Sequence, residues 1–105
     1  MIYHIILSPD AEADLNSAIW WYQRIEVNLA VRFRAETRAV LRRIALFPYQ
    51  FPVVRVLKDP VRRALVKHFP YSIYFTLKLD VASVIAVVHQ RRNHTVWMDR
   101  GNGSY

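Results

Sequence analysis

The sequence predicts an α+β domain: an N-terminal strand, a helical hairpin, then a three-stranded antiparallel meander. Three observations predict it. A short β-branched and aromatic segment opens the chain. Two long stretches with helical apolar period follow one another with no room for a strand between them. The second half then alternates extended runs with turns marked by Pro or Asp. Strands that follow one another through short turns pair antiparallel, and the hairpin must bury its apolar stripe against them.

The first strand is IYHIIL, Ile2 to Leu7. Ser8, Pro9 and Asp10 then start a helix. The Ser8 hydroxyl can cap it and Pro9 suits the first helical position. Asp10, Glu12 and Asp14 lie at the positive end of the helix dipole. Ala11, Leu15, Ala18, Ile19 and Tyr22 recur on one face, and the helix should end between Arg24 and Val27. Asn28 is the expected cap of the second helix. Its face carries Leu29, Phe33, Thr37, Val40, Leu41, Ile44 and Phe47, and Pro48 stops it. Arg32, Arg34, Arg38, Arg42 and Arg43 lie mostly off that face.

Pro48 to Pro60 holds three prolines and reads as a loop, with a short extended piece at Val53 to Leu57. VRRALVKHF is the next extended run. Phe69-Pro70-Tyr71-Ser72 is the expected turn, SIYFTLKL the next strand, and Asp80 to Ser83 the turn after it. Val84 to Val88 is apolar without a break, so both faces of this strand should be covered. A single domain over residues 1–100 is expected, with residues 101–105 a polar, flexible tail.

The chain has 105 residues, 53% of them apolar, which is enough for one core. It has no cysteine, so disulfides and thiolate metal sites are excluded. The stretch before Ser8 is too short for a secretory or membrane segment, and a cytoplasmic location without membrane contact is expected. With 15 Lys and Arg against 8 Asp and Glu, the formal charge is +7, which favours acidic partners. His4, His68, His89 and His94 show no metal spacing. The two glycines, Gly101 and Gly103, make no phosphate loop, so neither metal nor cofactor is expected.

A basic and aromatic set remains on the sheet half: Arg62, Arg63, Lys67, His68, Tyr71, Tyr74, His89, Arg91 and Arg92. Such groups could cleave RNA without a metal, through a base, an acid and a cation for the phosphate. They equally suit the ends and edges of a sheet, where charge discourages strand pairing. Trp20 and Trp21 are the second feature. Helical phase points Trp20 away from the core and puts Trp21 at its boundary, which suits a partner surface. The alternative is that the loop Pro48 to Pro60 folds back over them.

Three stretches, SPDAEADL, RRALVKHFPYSIYF and VIAVVHQRRNHTVW, resemble the RelE/ParE superfamily of bacterial toxins, in the same element order from Ile2 to Trp97. The resemblance implies the toxin of a type II toxin–antitoxin module, often plasmid-stabilising, with a small cognate antitoxin as partner. RelE-like members cut mRNA in the ribosome, whereas ParE-like members inhibit DNA gyrase and are not nucleases. The RelE-like pattern has two strand lysines, an Arg after the turn, an Arg at the end of the last strand and an aromatic hydroxyl six residues on. Arg91 matches the strand-end Arg, and Arg63 falls near one lysine position. Leu65, Ser72 and Trp97 replace the other lysine, the Arg after the turn and the aromatic hydroxyl. Trp has no titratable hydroxyl.

The departures favour a ParE-like gyrase inhibitor, with a RelE-like ribosome-dependent endoribonuclease as the alternative. The expected target-binding residues are Arg62, Arg63, Lys67, His89, Arg91, Arg92 and Trp97. A nuclease would use Arg63, His68, Tyr71 and Arg91. Trp20, Trp21 and Arg24 are the expected antitoxin contacts.

Overall fold

The computed structural model describes residues 1–92, Trp97, Met98 and Arg100. The elements are β1 (His4–Leu7), α1 (Pro9–Ile25), α2 (Val27–Leu46), a short 3₁₀ turn (Pro48–Gln50), β2 (Val53–Val56), β3 (Pro60–Leu65), β4 (Tyr71–Lys78) and β5 (Val81–His89). They form an α+β fold in which the hairpin packs on a five-stranded sheet of order β1-β5-β4-β3-β2. The meander therefore has four strands, because the extended piece in the proline-rich loop pairs with β3. β1 joins the other side, parallel to β5. The expected tail, residues 101–105, lies outside the described residues.

Helix α1 starts as its sequence dictates. The Ser8 hydroxyl accepts the Ala11 N–H at 3.1 Å, and Pro9 follows it. Only Glu26, in extended conformation, separates the two helices. The expected cap Asn28 lies inside the first turn of α2 instead, and Glu26 makes no side-chain cap. The buried stripe of α2 is Ala30, Phe33, Thr37, Val40 and Ile44. Phe47 was expected on this stripe but is exposed. It is the C-cap, and its backbone has already left the helix.

β5 is covered on both faces, as its unbroken apolar run requires. A register shift in the β4–β5 ladder pairs Phe75 with Val84 but Tyr74 with Ala86, so Ile85 is the extra residue. Val84 and Val87 join the helix-side core with Phe33, Ile44, Ile73 and Phe75. Ile85, Ala86 and Val88 join Val61, Tyr74 and Trp97 on the other side.

Two turns differ from expectation. The β3–β4 connection turns at Lys67 and His68, whose φ is 70°, and Tyr71 already sits in the β4 ladder opposite His89. Ser72 is therefore buried in the sheet rather than exposed in a turn, and its hydroxyl has no hydrogen-bond partner among the described residues. The β4–β5 turn centres on Leu79 and Asp80. Leu79 takes φ 55° where a glycine would be at ease, and β5 begins at Val81, inside the expected turn.

Trp97 is corrected most. It was expected on the docking surface, but only 4% of it is exposed. Its ring stacks on Tyr74 with centroids 4.7 Å apart, closing the face of the sheet away from the helices. Its reach is structural, so Trp97→Ala should cost about 3–5 kcal/mol of unfolding free energy. Urea denaturation checks this. An unchanged midpoint would mean that the ring is not part of the core.

Candidate docking groove between α1 and the end of β5

Strand β1 is four residues long and covers only the first half of β5, pairing His4 with Val81 through Leu7 with Val84. Beyond Val84, β5 has no strand neighbour on that side among the described residues. Helix α1 leaves the sheet there, because Ser8 donates its N–H to Val84 and then caps the helix. Side chains close the gap instead. Asp14 accepts the Val87 N–H at 3.1 Å through Oδ2. Arg100 pairs with that same oxygen at 2.6 Å, reaches the Ile85 carbonyl at 3.3 Å, and lies 3.7 Å from Asp10. An unmet N–H on a buried strand would cost about 1–3 kcal/mol, which gives the Asp14 contact its weight.

Between α1 and this half-edge runs a groove of about 470 Å³, lined by Asp14, Ser17, Trp20, Trp21, Tyr71, Val87, His89 and Arg92 among others. Trp20 and Trp21 stand 59% and 53% exposed, and Trp21 is thus further out than its helical phase suggested. Arg24 lies 4.7 Å over the Trp20 ring. The proline-rich loop does not cover either tryptophan. It forms β2 at the far edge of the sheet.

Tyr71 forms the floor. It packs against Phe33 and Tyr22 and meets the His89 ring edge-on at 5.2 Å. Burial pushes the Tyr71 hydroxyl above its usual pKa, and the nearby Arg92 charge opposes that rise. Tyr22 is raised too, first by burial and then by Tyr71.

Of the expected target-binding residues, the fold brings His89, Arg91 and Arg92 together at the exit of β5. The Arg91 N–H bonds His89 Nδ1 at 3.1 Å, and the Arg92 N–H bonds the His89 carbonyl at 2.9 Å. Lys67 stands in the turn at the same end of the sheet, where Gln90 bonds Pro70. Arg62 is elsewhere. It donates to the Phe51 carbonyl and stacks on Tyr49.

The four residues a nuclease would use do not converge. Tyr71 and Arg91 share His89 as a neighbour. His68 instead faces Glu36 of α2 at 3.8 Å. Arg63 lies opposite Tyr74, on the sheet face away from Tyr71. Among the described residues, no group of three His, Cys, Asp or Glu is placed to hold a metal ion. Among them, too, no helix is long and apolar enough to cross a membrane.

Asp14 and Ser17 were missed as groove residues, and Arg100 as the partner of Asp14. Asp14 carried a local signal, but for the helix dipole. Its role at Val87 spans 73 positions of sequence.

The chain thus combines an excess of positive charge, an αα-hairpin packed on a five-stranded sheet, and a strand exit that carries Arg91 and Arg92. A family model, the ParE toxin of the type II toxin–antitoxin system parDE, matches residues 5–94. The chain belongs to that family. Among solved structures it is similar to a chromosomal ParDE TA system from P. aeruginosa, with TM-score 0.68 and 17% identity over 84% of this chain and 96% of that one. None of the curated proteins matches it in sequence.

The raised tyrosines set a pH dependence. A tyrosine whose folded pKa lies above its unfolded value contributes stability that is intact below the unfolded pKa, near 10. That contribution is lost as pH rises from there through the folded pKa. Urea midpoints should therefore hold up to about pH 9 and fall as pH rises past about 10. Tyr22→Phe with Tyr71→Phe should fall less than the wild type. An equal loss in the double variant would place the alkaline sensitivity elsewhere.

Proposed function

We propose that this toxin inhibits DNA gyrase in the cytoplasm by docking through the exit of β5, and that its antitoxin binds the groove beside α1. One observation carries the choice of docking over cleavage. His89, Arg91 and Arg92 stand together at one strand end with Tyr71 beside His89, while Arg63 lies on the opposite sheet face and His68 faces Glu36 of α2. The position where a nuclease would hold an aromatic hydroxyl is Trp97, which is buried against Tyr74 and has no titratable hydroxyl. Ser72, where it would hold an Arg, is buried in β4. Gyrase is the target that the ParE-like branch implies.

Electrostatics support the same reading. Exposed arginines at a rim steer an acidic target surface and set the encounter rate. The antitoxin contact rests on different chemistry. Trp20 and Trp21 offer a large exposed aromatic area, and Arg24 and Arg92 flank it with positive charge. An amphipathic acidic segment fits both features.

Antitoxin-free protein should inhibit gyrase supercoiling and trap cleaved DNA complexes. Arg91→Ala with Arg92→Ala should weaken that inhibition about tenfold or more, with the circular dichroism of the wild type, because both residues are exposed. Undiminished inhibition would remove the strand exit from the target surface.

Trp20→Ala with Trp21→Ala should weaken co-purification with the antitoxin by about tenfold to a hundredfold while leaving gyrase inhibition in place. Antitoxin capture at wild-type strength would move the contact off α1.

A further inference from the structure

A second aromatic and basic surface lies at the other end of the sheet, where α2 stops. Tyr3 hydrogen bonds to Ala45 just before β1, and β1 begins opposite Val81, the start of β5. The surface is therefore remote from the β5 exit. Phe47 leaves α2 with φ −138° and ψ 58° and stands 54% exposed. Tyr49, two residues on, is 67% exposed, although Arg62 lies 4.9 Å over its ring and Tyr3 meets it edge-on at 6.4 Å. Arg43 lies 5.3 Å over Phe51.

The arginines are held before any partner arrives. Arg62 donates to the Phe51 carbonyl at 2.7 Å and is stacked at the same time, so its guanidinium has little rotational freedom left to lose. A guanidinium carries five N–H donors, and the Phe51 bond uses one. The end of α2 contributes roughly half a negative charge at this place, which the charges of Arg43 and Arg62 outweigh.

Exposed rings beside fixed arginines suit a ligand that is planar and apolar in one part and anionic in the next. Nucleotides alternate in that way. Bases in a duplex are already stacked on each other, so exposed side-chain rings favour a single strand. The formal charge of +7 draws any polyanion toward the surface. We propose that Phe47 and Tyr49 form a platform for single-stranded nucleic acid, with bases stacked on the two rings and phosphates held by Arg43 and Arg62. The proposal does not depend on gyrase being the target, and its test needs none.

The probe is a fluorescein-labelled oligothymidylate of about 12 nucleotides, followed by anisotropy with the free protein. Binding should saturate and weaken with salt, with a slope of about −0.7 per phosphate neutralised. Tyr49→Ala should weaken it about tenfold, and Tyr49→Phe should keep it. Arg43→Gln should make the salt slope shallower by about 0.7. Arg32→Gln with Arg34→Gln removes two exposed charges from the other half of α2 and should change it far less. Equal binding of a duplex of the same length would overturn the proposal. So would an unaffected Tyr49→Ala, or an equal loss in the Arg32 and Arg34 variant, which would reduce the effect to bulk charge. Polyglutamate bound with the same sensitivity to Tyr49→Ala would overturn it in favour of an acidic protein partner. Circular dichroism and a urea midpoint confirm that each variant is folded.

Discussion

Strand β5 must be covered on two faces and along two edges, and most of the structure follows from how that is done. The hairpin covers one face through Val84 and Val87. Trp97 and Tyr74 help cover the other through Ile85, Ala86 and Val88. The bulge at Ile85 lets one strand feed both cores without losing its ladder to β4. β4 covers one edge along the whole strand, while β1 covers only half of the other. The carboxylate of Asp14 and the guanidinium of Arg100 finish the second edge. Closing a strand edge with side chains leaves space that another strand would have filled, and that space is the groove beside Trp20 and Trp21.

The same constraint arranges the surfaces of the molecule. The groove lies along the half-open edge and runs into the β5 exit, sharing His89 and Arg92 with it, and the Phe47–Tyr49 surface sits at the opposite end. A small domain with a large positive charge can thus present distinct contact chemistry without distinct domains. Arg62 and Arg92 are both basic sheet residues in the sequence, yet one is locked on Tyr49 and the other opens onto the groove. Composition alone assigns them to one set.

Much of the fold was legible because its signals are local. The Ser8 cap, the stripe through Phe33 and Ile44, and the unbroken Val84–Val88 run each depend on neighbours within a few residues. The misreadings arose where a distant partner overrode a local rule. Pro70 marked a turn, but its carbonyl accepts from Gln90, and the turn itself moved back to Lys67 and His68. The piece at Val53 became a strand only because β3 offered an edge. Of the candidate contact residues, the exposure of Trp20 was legible from helical phase and that of Trp21 only in part. Trp97 was not, since nothing near it in sequence announces Tyr74.

By itself the sequence determined the order of the elements other than β2, most of the helical faces, the two-sided burial of the last strand and the excess of positive charge. Each is a property of spacing or composition. Tertiary structure alone decided that Arg63 and Tyr71 lie on opposite faces, that Asp14 serves Val87 across 73 positions, and that Trp97 is core rather than contact. Strand register and sheet order set those relations, and a one-residue change in register would exchange the faces. Periodicity specifies that a residue faces inward or outward on its own element, but not which distant residue it meets there.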